Sequence, residues 1–277
     1  MPISRPCKSV SPRSWASGWS IIGWSFTASR STAPTDSAKV RAAARIALIG
    51  LALAACLPAH YLARAATGRS RWPRRFLGLA ARASGVRLTV SGTPLDGPIL
   101  LVANHRSWLD ILTLAGASGC IFVSKAEVRR WAVVGWLAGL NDTLFVERTR
   151  RGAVRGQADA LRGALEAGRT VALFPEGTTN EADGLLPFRA SLFASVLPPP
   201  PQVRVQPVRI DYGGAAADLV WPDEEDMLGN ALRILGRRGT IAARLSFLDP
   251  IDPAAFDDRK ALAATAQAAL ERSGAIG

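Results

Sequence analysis

From residue 86 onward, seven short apolar runs alternate with longer helical stretches, and no other feature of the chain constrains its fold as strongly. The candidate strands are residues 87–90, 99–103, 121–123, 143–146, 171–174, 203–210 and 241–247. Helical stretches fall near residues 108–117, 152–167, 227–235 and 259–273. Several runs are apolar at every position, as a strand becomes when helices cover both faces of its sheet. The expected fold class is α/β, with a largely parallel central sheet covered by helices, over residues 86–277.

The first 85 residues read differently. Residues 1–39 are rich in Ser, Pro, Arg and Trp without sustained period, and read as a disordered leader or an upstream extension. Residues 42–66 are dominated by Ala, Leu and Ile, with Arg41 and Arg45 before and Arg64 and Arg69 after. The uninterrupted apolar stretch, 46–59, falls short of the roughly 20 residues a comfortable span needs. A signal peptide is the rival reading, because Ala63-Arg64-Ala65 has a small-x-small form; the long leader argues against it. Residues 71–77 then open a basic amphipathic helix that ends near Gly85. Cations flank both helices, which favours a membrane-associated helical hairpin over residues 40–85, held in one leaflet on the cytoplasmic side of the cell membrane.

Charge narrows the partners. The chain has 277 residues, with 34 Lys and Arg against 22 Asp and Glu, for a formal net charge of +12. Such an excess suits nucleic acid or an anionic lipid surface. No zinc-ligand spacing, RNP-like run or helix-turn-helix signal is present, so a membrane surface is expected and nucleic acid is not. Three scattered cysteines suggest neither a disulfide framework nor a metal site.

Only two histidines, His60 and His105, are available as a catalytic base. His60 sits in the apolar N-terminal segment and reads as an interfacial residue. His105 follows a strand directly, and ligands on such sheets bind beyond the carboxyl ends of strands. Ser107 can cap the next helix, which sets Asp110 in its first turn, within reach of His105. An imidazole held there keeps one tautomer, and its other nitrogen can take a proton from an alcohol. Ser107 and Asp110 also fit a capping box, and both roles can hold together. A second segment, Phe174-Pro175-Glu176-Gly177-Thr178-Thr179, makes a turn whose backbone N–H groups can meet an anion or a developing oxyanion. In a third, Phe145-Val146-Glu147-Arg148, the arginine offers a planar fork suited to phosphate. Taken singly, Glu176 also reads as a solvated turn residue and Arg148 as an ordinary surface arginine. Cys120 and Ser107 lack a nucleophile elbow, so covalent catalysis is not expected.

Together these segments resemble the glycerolipid acyltransferase family, which includes 1-acyl-sn-glycerol-3-phosphate acyltransferases. Its Asn-His-x-x-x-x-Asp motif is matched by Asn104, His105 and Asp110. Phe145 and Arg148 match the second motif, Phe174 to Thr178 the third, and Val205-Gln206-Pro207-Val208 the fourth. The likeness spans about residues 86–248.

That resemblance implies direct acyl transfer by an acyltransferase domain. His105 would deprotonate the acceptor hydroxyl, which attacks the thioester of acyl-CoA or acyl carrier protein; this is a co-substrate, and no resident cofactor is implied. Asp110 would orient the base. Arg148 would hold an acceptor phosphate in a site shaped by Glu176, Gly177 and Thr178, with Lys125 as a second positive contact. Thr179 and Asn180 depart from the Arg and Ser that many members carry, which weakens one phosphate contact. The expected acceptor is the sn-2 hydroxyl of 1-acyl-sn-glycerol-3-phosphate, giving phosphatidic acid, because Arg148 and Glu176-Gly177 stand. The alternative acceptor is lyso-ornithine lipid, which has no phosphate. A catalytically silent lipid-binding protein is the reading from another class, and the intact His105, Asp110, Arg148 and Glu176 argue against it.

Overall fold

A computed structural model describes residues 35–146, 153–179, 184–222 and 225–274. Seven strands form one sheet: β1 (Val86–Ser91), β2 (Ile99–Ala103), β3 (Ile121–Lys125), β4 (Leu144–Val146), β5 (Val171–Leu173), β6 (Arg204–Asp211) and β7 (Ile241–Phe247). Their order is β1-β7-β6-β2-β5-β3-β4. Every pairing is parallel except β6 with β7, which is antiparallel. Among the described residues, eight α-helices accompany them: α1 (Asp36–Thr67), α2 (Trp72–Ala83), α3 (Leu109–Ser118), α4 (Ala132–Leu140), α5 (Ala153–Glu166), α6 (Ala216–Leu219), α7 (Met227–Gly236) and α8 (Arg259–Gly274).

The all-apolar strands are explained by two cores. Ile99, Leu101 and Ala103 of β2 pack with Leu109 and Leu114 of α3 on one face. Leu100 and Val102 pack with Leu161 and Leu165 of α5 and with Leu262 and Ala266 of α8 on the other. All five β2 residues are buried, so neither face tolerates a polar side chain. β2 is therefore a central strand, and the turn leaving its carboxyl end is anchored from both sides.

The N-terminal segment holds a difference from expectation. α1 is one continuous helix of 32 residues that runs through Pro58. At 1.5 Å per residue it is roughly 48 Å long. By length and composition it is able to cross a membrane, which the stretch 46–59 was too short to suggest. Its early arginines are engaged with protein. Arg41 Nε donates to the Gly236 carbonyl at 2.8 Å, and Arg45 donates to the Leu235 carbonyl at 3.0 Å. Those carbonyls end α7, where a cation meets both unpaired acceptors and the negative end of the helix dipole. α2 crosses α3 closely at two glycines: a Cβ on Gly116 would lie 2.7 Å from the Gly78 Cα. His60 is buried in α1, with Nδ1 3.0 Å from the Ser70 hydroxyl, so its side chain faces protein.

Candidate active site

The turn after β2 begins with a lock. Asn104 is buried, and its carboxamide completes the pairing of β2 with β6 where the strand ladder stops. Asn104 Nδ2 donates to the Ile210 carbonyl at 2.9 Å, and the Ile210 N–H donates to Oδ1 at 2.7 Å. His105 is thereby delivered at a fixed height above the sheet.

Asp110, fully buried in the first turn of α3, gathers the turn around itself. One oxygen, Oδ2, accepts from the N–H groups of Arg106 at 2.7 Å and Ser107 at 2.9 Å. His105 Nδ1 lies 2.9 Å from the same oxygen. The other, Oδ1, accepts from the Tyr212 hydroxyl at 2.7 Å. An ionised carboxylate has only acceptors, so the proton of a neutral imidazole belongs on Nδ1 and Nε2 is left basic. One carboxylate oxygen thus holds both the backbone of the turn and the imidazole, while Trp108, the N-cap of α3, provides no side-chain cap. Ser107 Oγ itself receives only a long 3.4 Å contact from the Leu109 N–H.

The imidazole is also held from its face and from its backbone. Its ring stacks on Phe174 with centroids 4.1 Å apart, and Phe174 stacks in turn on Phe122 at 5.8 Å. Glu176, buried on the turn after β5, accepts the His105 N–H at 2.9 Å and the Leu186 N–H at 2.8 Å. Gly177 takes φ +79°, and a Cβ there would come within 2.8 Å of the Arg189 guanidinium beneath it. The Gly177 N–H donates to the Phe174 carbonyl at 3.1 Å, so it is already paired within the turn.

His105, Asp110, Glu176 and Gly177 thus meet at the carboxyl ends of the adjacent strands β2 and β5. Thr178 lies on the same turn and is exposed. Lys125 ends β3, and only its backbone is described; Arg148 and Asn180 lie outside the described residues.

One contributor carried no signal strong enough to single it out. Tyr212 follows β6 by one residue and stands 102 positions from the carboxylate it serves. A buried phenol needs a partner, and that rule is the only clue the sequence offers. Burial, reinforced by the charge and hydrogen bond of Asp110, pushes the Tyr212 hydroxyl well above 10, so it stays a neutral donor. Phe174 belongs to a motif, but its stacking on His105 is visible only in three dimensions.

Comparison with known proteins gives the family. A family model described as Acyltransferase matches residues 87–211. A lyso-ornithine lipid O-acyltransferase of Brucella abortus is 38% identical over 212 residues, covering 71% of this chain and 79% of that protein. One from Pseudomonas aeruginosa is 39% identical over 206 residues, covering 73% and 78%. A 1-acyl-sn-glycerol-3-phosphate acyltransferase of Neisseria meningitidis is 31% identical over 165 residues, covering 59% and 64%. The crystal structure of the 1-acyl-sn-glycerophosphate acyltransferase PlsC from Thermotoga maritima shares the fold, with a TM-score of 0.62 and 24% identity over 85% of this chain and 95% of that one. The chain belongs to the glycerolipid acyltransferase family and is an enzyme that acylates lysolipids.

Proposed function

We propose that the chain is a lyso-ornithine lipid O-acyltransferase. The observation that carries this reading is the gradient among relatives: 32–39% identity over 69–87% of the chain to four enzymes of that name, against 30–31% over 59% for two 1-acyl-sn-glycerol-3-phosphate acyltransferases. This reverses the preference drawn from the motifs, and the site supplies a physical reason. Glu176 was counted toward a phosphate acceptor, yet both its oxygens accept backbone N–H groups, a task independent of any headgroup. These bonds account for its presence without a phosphate acceptor. Thr179, departing from the common arginine, fits a headgroup without one.

In this reading His105 Nε2 takes the proton of the acceptor hydroxyl as its oxygen attacks the thioester carbonyl of acyl-CoA or acyl carrier protein. The tetrahedral intermediate collapses with cleavage of the C–S bond, and the imidazolium returns the proton to the departing thiolate. Ester and free thiol are the products. Asp110 stabilises the imidazolium, and Tyr212 holds the outer oxygen of Asp110. Arg148 and Lys125 serve the headgroup carboxylate, with Gly177 and Thr178 shaping that side. Residues 40–85 hold the enzyme at the cytoplasmic face of the membrane.

The test is kcat/KM for lyso-ornithine lipid and for 1-acyl-sn-glycerol-3-phosphate, each with both donors. A preference for the ornithine acceptor of roughly tenfold or more, about 1.4 kcal/mol in the transition state, is expected. Preference for the phosphate acceptor would overturn the substrate and leave His105 and Asp110 in their roles.

A further inference from the structure

The helix α4 has no place in the chemistry above and an unusual surface. Its sequence, Ala132-Val133-Val134-Gly135-Trp136-Leu137-Ala138-Gly139-Leu140, contains no polar side chain, and Gly135 is its one buried residue. Val133 is 64% exposed, and Trp131 and Trp136 are each 42% exposed. Residues 129 to 134 are all exposed, beginning with Arg129 and Arg130. An apolar helix presented to water in this way marks a contact surface.

The surface is rigid and well placed. The short 3-10 turn Ala126–Arg130 leads into Trp131 and then α4. A Cβ on Gly135 would collide with the Arg129 carbonyl, so turn and helix pack backbone to backbone as one knob. That knob leaves the carboxyl end of β3, the same end at which parallel β2 and β5 deliver His105 and Phe174. Its inner side meets α1: Leu137 and Leu140 line a cavity with Leu53 and Leu57, and Arg64 at the end of α1 pairs with Asp142 at 2.9 Å.

We propose that this knob is a second membrane-contact surface, seating Trp131 and Trp136 at the lipid headgroup boundary and Arg129 and Arg130 against anionic headgroups. The occupant is identified by chemistry. Exposed tryptophans on an apolar helix favour the bilayer interface, and two arginines against the single acid Glu127 favour anionic lipid. Continuity with α1, the helix able to cross a membrane, places the same bilayer beside it. The knob would bring the rim of the active site to the bilayer that holds the acceptor. The inference rests on the lysolipid reading for that benefit, whereas its test does not.

Full-length protein carrying Cys7→Ser and Val133→Cys is labelled with an environment-sensitive fluorophore; Cys56 and Cys120 are buried and spared. It is reconstituted in phosphatidylcholine and phosphatidylglycerol vesicles with and without headgroup-level nitroxide lipid. Blue-shifted emission quenched by the nitroxide is expected, with none for a label at Ala264→Cys on α8, across the sheet. The double variant Trp131→Gln, Trp136→Gln should lose that quenching. It should also acylate vesicle-borne acceptor more slowly while keeping its rate with detergent-dispersed acceptor. An unquenched label at 133, or one protected by energy transfer between two copies of the chain, would overturn the proposal. An enzyme preferring the phosphate acceptor would leave the quenching unchanged.

Discussion

Two carboxylates stand at the ends of neighbouring parallel strands, both buried, both within reach of His105, and their surroundings assign them different work. Asp110 faces a ring nitrogen and a phenol as well as two backbone N–H groups. Among the described residues Glu176 accepts hydrogen bonds from backbone alone, one N–H from the His105 turn and one from Leu186 on a separate loop, with the Arg209 guanidinium near enough to feel its charge. In the proposed mechanism the first responds to a charge that appears on the imidazole during turnover. The second is a bracket that ties two loops together whether or not the imidazole is charged. An acid in a motif is thus not evidence of an acid in the chemistry; the donors around it decide.

The sharpest way to break this comparison is to remove the group that Asp110 serves. His105→Ala should lower saturated turnover by about 10²–10⁴-fold with the fold retained, since only a positioned base is lost. Near wild-type turnover by a folded variant would leave Asp110 with nothing to stabilise.

A smaller effect is expected from Tyr212→Phe, which touches the Asp110 side alone. One buried donor to a carboxylate disappears while three remain, so kcat should fall by about tenfold, near 1.5 kcal/mol. This variant also has a pH signature. A phenol whose folded value is raised contributes stability that is fully present below the ordinary tyrosine range and is lost as pH rises through the raised value. Melting temperature measured from pH 8 to 11 should therefore fall more steeply for wild type than for Tyr212→Phe. Parallel curves would remove the buried phenol from the account.

The smallest effect on chemistry is predicted on the Glu176 side. Gly177→Ala places a Cβ at positive φ above the Arg189 guanidinium, a strain of about 1–3 kcal/mol. Urea melts should show that loss of stability, and the folded fraction should keep nearly the wild-type saturated turnover while its KM for the acceptor rises, since Gly177 shapes the headgroup side. A turnover defect exceeding the folding defect would mean that this turn does more than hold.

Much of this arrangement is legible in the chain, for physical reasons that also mark where legibility ends. β2 can be read to the residue because its apolar run, five residues long and stopped by Asn104, is too short for a helix. The His105–Asp110 pair is local, so spacing alone brings it together. α4 escaped notice because a helix without polar residues has no period to detect. Nothing in the alternation of β7 signals that it runs antiparallel to β6, since side-chain pattern is blind to strand direction. Tyr212 was out of reach because its partner comes from a distant strand-end contact. The length of α1 was underestimated because Arg41 and Arg45, which looked like flanks of a lipid segment, extend the helix to cap α7.

The division of labour is tested most directly by measuring saturated acyl transfer and melting temperature for Asp110→Asn and Glu176→Gln side by side. Asparagine keeps the shape but not the charge, so turnover should fall by roughly 10²-fold or more in protein that remains folded. Glutamine must turn an N–H₂ toward one of two N–H donors, which should cost about 1–3 kcal/mol of stability. The folded Glu176→Gln enzyme should stay within about tenfold of wild-type turnover, a modest loosening of the His105 backbone. Equal losses of turnover in the two folded variants, or the larger loss in Glu176→Gln, would contradict the account.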